Sequence, residues 1–210
     1  MTKIDLKKTL AHLYSAPANA VVRVEVPPLR YLMIDGEGDP NTSPTYANAV
    51  QCLFSVAYAL KFAIKAGPSG TDYVVMPLEG LWWADDMSRF DVERKSDWKW
   101  TLMILQPDEV TADLVGTTVA SVARRKQLPG LDRLRLEVLE EGVCVQTLHV
   151  GPFSTEGPTV ERVHEVVDAR GARTGRHHEI YLSDIRRADP SKWKTIIRQP
   201  MRERSARKGA

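Results

Sequence analysis

The stretch Trp98-Lys-Trp-Thr-Leu-Met-Ile-Leu-Gln-Pro107 has a counterpart near the carboxyl end of the chain, Trp193-Lys-Thr-Ile-Ile-Arg-Gln-Pro200. In both stretches a tryptophan is followed by five residues and then by Gln-Pro. The apolar and β-branched residues in between predict a strand, and the proline ends it because it lacks a backbone donor. The chain of 210 residues therefore contains the same strand ending twice.

The segments upstream of the two stretches also correspond. Each contains a Pro-Thr helix start, at Pro44-Thr45 and at Pro158-Thr159, and a further strand between that helix and the tryptophan strand. Two strands precede each helix, and they include Val24-Glu-Val26 in one half and Leu136-Glu-Val138 in the other. In the second half a hairpin turn is expected at Glu140-Glu-Gly142. The shared order of elements predicts a duplicated βαββ unit.

The predicted fold class is α+β. Two tandem βαββ modules, related by a pseudo-twofold axis, would form an antiparallel sheet with helices on one face and a ligand groove on the other. We expect a single domain over residues 1–200, with repeat one at about 21–107, repeat two at about 132–200 and a linking helix at about 111–126. Residues 201–210 are predicted to be a basic, disordered tail.

Composition excludes some classes of protein. Lysine and arginine number 29 against 27 acidic residues, which gives no support for a nucleic-acid partner or an anionic membrane surface. Cys52 and Cys144 are far apart and are typical of small buried side chains in a reducing compartment. Lys3, Asp5 and Lys7 interrupt any apolar run at the start, and other apolar stretches are too short to span a membrane. We therefore expect a cytoplasmic protein.

Side chains alternate along the predicted strand 177–182, which divides it into two faces. Ile180 and Leu182 are apolar and are expected to face the helices, so Glu179 and Tyr181 would point into the groove. The same reasoning places four further residues in the groove: Tyr31, Met33, Val75 of the predicted strand 73–78, and His149. A largely apolar groove with one carboxylate has the usual composition of a small-molecule site.

The carboxylate of Glu179 allows two functional interpretations and a structural one. It could hold a small lipophilic aromatic or cationic ligand with the help of aromatic rings, or it could act as a general base. It could equally be a solvated or salt-bridged strand residue. The neighbouring pair His177-His178 has no third ligand at a suitable spacing, so we expect no metal and no cofactor.

Four of the five tryptophans lie between positions 82 and 100: Trp82, Trp83, Trp98 and Trp100. Any one of them could simply brace the sheet. The adjacent pair at 82 and 83 is harder to explain in that way, because neighbouring residues of a strand cannot both face one core. One member of this pair is expected to lie over the mouth of the groove, and the alternation does not decide which.

Four segments of the chain together resemble the GyrI-like small-molecule-binding family: Tyr31-Leu-Met-Ile-Asp-Gly36, Tyr73-Val-Val-Met-Pro-Leu-Glu-Gly-Leu-Trp-Trp83, Trp98-Lys-Trp-Thr-Leu-Met-Ile104 and His177-His-Glu-Ile-Tyr-Leu-Ser-Asp184. The family is similar in fold to the effector-binding domains of multidrug-responsive transcription regulators, which are pseudo-twofold pairs of βαββ modules. The chain departs from the family at Ile185, where a proline usually follows Ser-Asp. This change would alter the turn after the strand and leave the groove intact.

The resemblance implies roles for particular residues. In the effector-binding relatives a glutamate at the position of Glu179 binds lipophilic aromatic cations, and stand-alone members include hydrolases of cyclopropanoid, DNA-alkylating antibiotics. By analogy, Glu179 would activate water and Tyr181 would hydrogen-bond the water or the developing phenolate. Trp100, Trp83 and Phe153 would be the stacking walls of the site.

Three functions follow as alternatives. The first is a hydrolase that detoxifies flat, lipophilic electrophiles. The second is a non-catalytic module that binds or senses lipophilic cationic drugs; a regulator acting alone on DNA is disfavoured because the sequence shows no helix-turn-helix extension. The third is a role with a protein partner, such as the binding and inhibition of gyrase that the family name suggests, and no surface residue decides for or against it.

Overall fold

The structure, a computed structural model, describes residues 3–85 and 95–204. The chain divides into two compact units. Unit 1 consists of Met1–Ala11 and Leu29–Leu139, and unit 2 consists of His12–Pro28 and Glu140–Ala210. Residues 205–210 of the predicted basic tail lie outside the described residues.

Both units contain helices and strands. In chain order they are α1 (Leu6–Thr9), α2 (Ala11–Tyr14), β1 (Val22–Val26), β2 (Leu29–Glu37), α3 (Pro44–Ala66), β3 (Glu79–Trp83), β4 (Lys99–Leu105), α4 (Ala112–Arg125), β5 (Arg135–Leu139), β6 (Gly142–Val150), α5 (Gly157–Arg170), β7 (Gly171–Arg173), β8 (His177–Tyr181) and β9 (Lys194–Glu203). The strand pairs within each of the two units are antiparallel, and the α+β class is confirmed. The pseudo-twofold relation between the two halves of the sequence stays a prediction.

Unit 1 contains the antiparallel strands β3, β4, β2 and β5 in that order. Helix α3 begins at Pro44 and ends before Gly67, as the sequence predicts. Helix α4 confirms the predicted linking helix, and its N-cap Thr111 accepts a hydrogen bond from the backbone N–H of Leu114 at 3.2 Å. Each helix therefore starts at a residue that favours a first turn: the proline ring of Pro44 fixes φ in α3, and the side chain of Thr111 accepts a backbone hydrogen bond in α4.

Helix α3 has the length and composition of a membrane span, with a mean hydropathy of 1.4. Its buried residues nevertheless recur at helical spacing: Ala49, Cys52, Leu53, Val56, Ala57, Leu60 and Ile64. This face packs against β2, β4 and α4. α3 is thus the core helix of unit 1.

An aromatic cluster lies between α3 and the sheet of unit 1. Trp82 and Trp100 are register partners, and the ring of Tyr46 on α3 stacks on Trp82 at 6.1 Å and meets Trp100 edge-on at 5.4 Å. Trp100 is also the register partner of Gly36, where a Cβ atom would overlap its indole ring. The absence of a side chain at Gly36 therefore gives Trp100 its place in the core.

Unit 2 contains the antiparallel strands β1, β6, β9 and β8 in that order, and β7 pairs with the end of β9. Helix α5 covers one face of this sheet. Val163 and Val167 of the helix form a buried cluster with Val145, Ile197 and Met201 of β6 and β9. The helix predicted to start at Pro158 is confirmed, with Pro158 in its first turn.

The strand predicted at 73–78 was wrong. In that segment Tyr73 forms an isolated bridge with Ile4, and the regular strand β3 starts later, at Glu79 opposite Met103 of β4. Pro77 has no N–H to offer to a ladder, which explains why pairing starts after it. The segment is apolar and rich in β-branched residues, so composition alone suggested a strand.

Two other local predictions need correction. The expected hairpin at Glu140-Glu-Gly142 was wrong, because β5 pairs with β2 of unit 1 while β6 pairs with β1 and β9 of unit 2. Strand β9 also continues to Glu203, past the predicted end at Arg198, because Met201, Arg202 and Glu203 pair with β7. The first three residues of the predicted tail therefore belong to a strand.

Candidate functional site

Glu179 and Tyr181 lie on the α5 side of the sheet in unit 2. Their register partners on β9 are Ile197 and Thr195, and Ile197 belongs to the apolar cluster under α5. The prediction that these two residues point away from the helices was wrong. The prediction assumed that the apolar Ile180 marks the face covered by the helices. Ile180 is fully buried on the opposite face, and β8 and β9 are covered on that face as well. Alternation identifies the solvent face of a strand only when one face is wet.

The carboxylate of Glu179 is held at both oxygens by its neighbours on the same strand face. Nε2 of His177 lies 3.1 Å from Oε1, and the hydroxyl of Tyr181 donates to Oε2 at 2.8 Å. The side chain of Glu179 is 14% exposed and that of His177 is 6% exposed. Residues two apart on a strand project on the same side, so the pattern His-x-Glu-x-Tyr builds this arrangement from local sequence alone.

Three aromatic rings form a row of contacts that starts at this carboxylate with Tyr181 and continues through Phe153 to Trp193. Phe153 meets Tyr181 edge-on at 5.6 Å between ring centroids and lies 5.0 Å from Trp193. Trp193 is fixed by a hydrogen bond from its indole N–H to the carbonyl of Ala188 at 2.9 Å. Phe153 reaches the other rings because Gly151, at φ +140°, turns the chain sharply after β6 and donates its N–H to the carbonyl of Trp193.

We refer to Glu179, His177, Tyr181, Phe153 and Trp193 as the Glu179 cluster. Among the described residues no lysine or arginine forms an ion pair with Glu179, and the imidazole of His177 contacts one of its oxygens. Phe153 and Trp193 are partly exposed, in contrast to the buried Trp82, Trp98 and Trp100 of unit 1. The cluster thus combines an acidic group with accessible aromatic surface, which is the combination that attracts lipophilic cations.

A second layer lies behind His177. The ring of His164 on α5 is 6.5 Å from the ring of His177, and its Nδ1 accepts a hydrogen bond from Nη1 of Arg173 at 3.2 Å. Burial, with the charge of Arg173, lowers the pKa of His164 to about 4. His164 is therefore neutral at neutral pH, with its proton on Nε2, because an arginine can only donate.

A buried ionic network occupies the opposite face of the same strands. Glu141 accepts from Nδ1 of His178 at 3.0 Å and from Arg198 at 3.3 Å, and Arg198 also donates to Gln146 and to the carbonyl of Leu13. Burial alone would raise the pKa of Glu141, but the charges and hydrogen bonds of His178 and Arg198 outweigh it and lower this pKa to about 2. This network pins the segment at Leu13 to the sheet.

The structure brings Glu179, Tyr181 and Phe153 together and places other predicted residues elsewhere. The ring of Trp100, predicted as a stacking wall, is fully buried between Gly36 and Tyr46, and its role in ligand binding stays a prediction. His149 faces α5, where its Nδ1 lies 3.1 Å from the hydroxyl of Thr159 and its Nε2 3.3 Å from the carbonyl of Pro152. It therefore anchors the chain next to Phe153, and the prediction that it points away from the helices was wrong.

The remaining predicted residues belong to unit 1. Trp83 follows Trp82 on β3 and so lies on the sheet face away from α3, where register also places Tyr31 and Met33. Tyr31 and Met33 are buried, and Val75 is partly buried in the irregular segment before β3. Their contribution to ligand binding stays a prediction.

Sequence reasoning missed two members of the Glu179 cluster. The pair His177-His178 suggests a metal ligand, whereas the position of His177 two residues before Glu179 indicates a neighbour on the same face. Trp193 belongs to the Trp-x5-Gln-Pro repeat, and that motif gives no indication of a site. No group of three or more His, Cys, Asp or Glu side chains suited to a metal occurs within the described parts of the chain.

Comparison with known proteins agrees with this type of site. The family described as GyrI-like small molecule binding domain matches residues 20–202. The chain belongs to the GyrI-like family, a class of small-molecule-binding domains. No curated protein matches the chain.

Several solved structures are similar to the chain over nearly its whole length. An uncharacterized conserved protein from Listeria innocua is 41% identical, with 94% of this chain and 99% of that chain covered and a TM-score of 0.85. A protein described as a hydrolase from Listeria innocua is 39% identical, with 94% and 99% covered and a TM-score of 0.80. The EcmrR C-terminal domain, at 12% identity, 88% and 98% coverage and a TM-score of 0.53, shares the fold.

Proposed function

We propose that the Glu179 cluster is the ligand site of this small-molecule-binding protein and that it hydrolyses lipophilic electrophiles of the cyclopropanoid type. The observation that carries the proposal is a carboxylate fixed at both oxygens by His177 and Tyr181, with the ring of Tyr181 in contact with Phe153 and, through it, with Trp193. The rings would stack on a flat ligand, and the carboxylate would act on the atom placed beside it. The 39% identical relative described as a hydrolase supports the same class of reaction.

The proposed reaction adds one water molecule to the ligand. Glu179 takes a proton from water, and the water oxygen forms a bond to the less hindered cyclopropane carbon. The strained carbon–carbon bond breaks, and its electron pair moves into the conjugated ring to give a phenolate. Tyr181 then gives its proton to the phenolate and regains one from Glu179, so the protein ends in its starting state.

Binding without turnover is the second candidate. It is favoured by the lack of an arginine or lysine ion pair to Glu179 among the described residues, which leaves the carboxylate available to a cationic ligand. In this case the protein would sequester or sense lipophilic cations. In either case we propose a cytoplasmic location, which is supported by the two buried free cysteines.

One experiment separates the two candidates. Tryptophan fluorescence is titrated with rhodamine 6G and with a cyclopropanoid antibiotic, while the mass of the antibiotic is followed. Saturable quenching and a product heavier by one water, lost in Glu179→Gln, would establish hydrolysis with Glu179 as the base. Quenching without a mass change would establish a binding protein, and full turnover by Glu179→Gln would exclude Glu179 as the base.

A further inference from the structure

Among the described residues, one contact of the His177 imidazole defines its protonation. Its Nε2 lies 3.1 Å from Oε1 of Glu179, and an ionised carboxylate can only accept, so Nε2 carries a proton. Its Nδ1 is buried and has no hydrogen-bond partner among the described residues. A second proton on Nδ1 would therefore be a buried N–H without an acceptor, which is costly. The contacts favour a neutral ring that donates through Nε2.

We propose that His177 is a positioning residue for the ligand-binding carboxylate of Glu179. The His177 N–H fixes one carboxylate oxygen and the Tyr181 hydroxyl fixes the other, so the plane of the carboxylate cannot turn. A neutral donor holds the carboxylate and leaves its negative charge in place. An arginine or lysine would instead cancel that charge. The negative charge stays available to a cation or to a water molecule in the site. This inference rests on the proposed function, because the carboxylate that His177 orients is the one proposed to bind the ligand.

Three variants test the role of the donor. Glutamine can place an N–H close to the position of Nε2, whereas phenylalanine keeps a ring of similar size and has no donor. We expect His177→Phe to lose roughly tenfold in rhodamine 6G affinity, the effect of one hydrogen bond to a charged group, and His177→Gln to restore most of it. His164→Phe serves as the matched control, because the His164 ring lies beside the His177 ring and does not touch Glu179. The affinity of this variant for rhodamine 6G should be unchanged.

A spectroscopic measurement decides the inference independently of any ligand. In ¹⁵N–¹H correlation spectra of the side chains at neutral pH, His177 is identified by the signal missing from His177→Gln. We expect a protonated Nε2 and a bare Nδ1. A doubly protonated ring, a proton on Nδ1 alone, or full affinity of His177→Phe for rhodamine 6G would overturn the inference. If the wild-type protein binds neither rhodamine 6G nor the antibiotic, the proposed function fails, and the spectrum alone decides the assignment of His177.

Discussion

Trp100 in unit 1 and Trp193 in unit 2 occupy the same place in the Trp-x5-Gln-Pro repeat and have different surroundings. Trp100 is fully buried between Gly36 and Tyr46, and its indole N–H is buried without a hydrogen-bond partner among the described residues. Trp193 is partly exposed, and its indole N–H is satisfied by the carbonyl of Ala188. Trp100 supports the core of unit 1, whereas Trp193 contacts Phe153, which in turn contacts Tyr181 of the Glu179 cluster.

The difference teaches that a high density of tryptophan does not by itself mark a ligand site. The stretch between positions 82 and 100 contains four tryptophans, of which Trp82 packs against Trp98, and Trp82 and Trp100 both contact Tyr46 of α3. The Glu179 cluster has fewer rings, but they are accessible and adjoin a fixed carboxylate. Accessibility next to a charge is therefore the better indication of a site than the number of aromatic residues.

The largest expected effect separates the two tryptophans directly. Trp100→Ala should lower the free energy of unfolding by about 3–5 kcal/mol, because it leaves a cavity in the core of unit 1. Trp193→Ala should lower it by only about 1–2 kcal/mol, because the ring is partly exposed and loses one hydrogen bond. Urea unfolding followed by circular dichroism measures both values.

Ligand titration of the same two variants sharpens the comparison. We expect folded Trp100→Ala protein to bind rhodamine 6G as the wild type does, and Trp193→Ala to bind it more weakly. Weaker rhodamine 6G binding by Trp100→Ala than by Trp193→Ala would contradict the assignment of Trp193 to the site. A greater loss of stability in Trp193→Ala would contradict the assignment of Trp100 to the core.

The next effect concerns the buried ionic network of unit 2. This network contains the carboxyl group of Glu141, whereas the aromatic cluster of unit 1 contains no carboxyl group. The folded-state pKa of Glu141 lies at about 2, below its ordinary value of 4.5. A lowered pKa stabilises the fold fully above the ordinary value, and this stabilisation is lost as the pH falls through the folded value. We therefore expect unit 2 to lose roughly 3 kcal/mol between pH 5 and pH 2.

Urea unfolding at several pH values tests this expectation. Glu141→Gln is the matched control: it should be less stable at pH 7, because it leaves Arg198 buried without its carboxylate. It should also lack the part of the acid dependence that Glu141 contributes. An equal pH dependence in both proteins would rule out Glu141 as its source.

The smallest expected effect tests the close approach of Gly36 and Trp100. Gly36→Ala would place a methyl group inside the indole ring and should cost about 1–3 kcal/mol, as overpacking does. Gly116→Ala in α4 is the control, since a Cβ at Gly116 meets no atom within 4 Å and alanine favours a helix. The control should be stabilised by about 0.5–1 kcal/mol. Thermal unfolding of the two variants gives the comparison, and a stable Gly36→Ala would contradict the tight fit of Trp100.

Local signals in the sequence predicted most of the fold. The starts of α3 and α5 at proline and the N-cap of α4 at Thr111 follow from short motifs, and the structure confirms them. Strand pairing was harder to predict. The turn at 140–142 resembles a hairpin, but β5 and β6 take distant partners, and such a choice depends on tertiary contacts that no short segment contains.

The candidate site was predicted in part. Glu179, Tyr181 and Phe153 were identified, while the face of β8 was assigned incorrectly because Ile180 indicated a core on one side only. Both faces of this strand are buried, and polar residues such as His178 and Arg198 are buried in an ionic network on the second one. A sequence pattern of apolar and polar residues cannot distinguish a wet face from a buried polar network.

The position of β1 in the sheet has a consequence for the growing chain on the ribosome. β1 pairs with β6, and nearly all of unit 1 lies between them in sequence, so β1 leaves the exit tunnel long before its partner is made. An unpaired strand of this kind is a template for aggregation. Arg23 and Glu25 give one side of β1 alternating charges, and these charges would protect the nascent strand from wrong partners until β6 emerges.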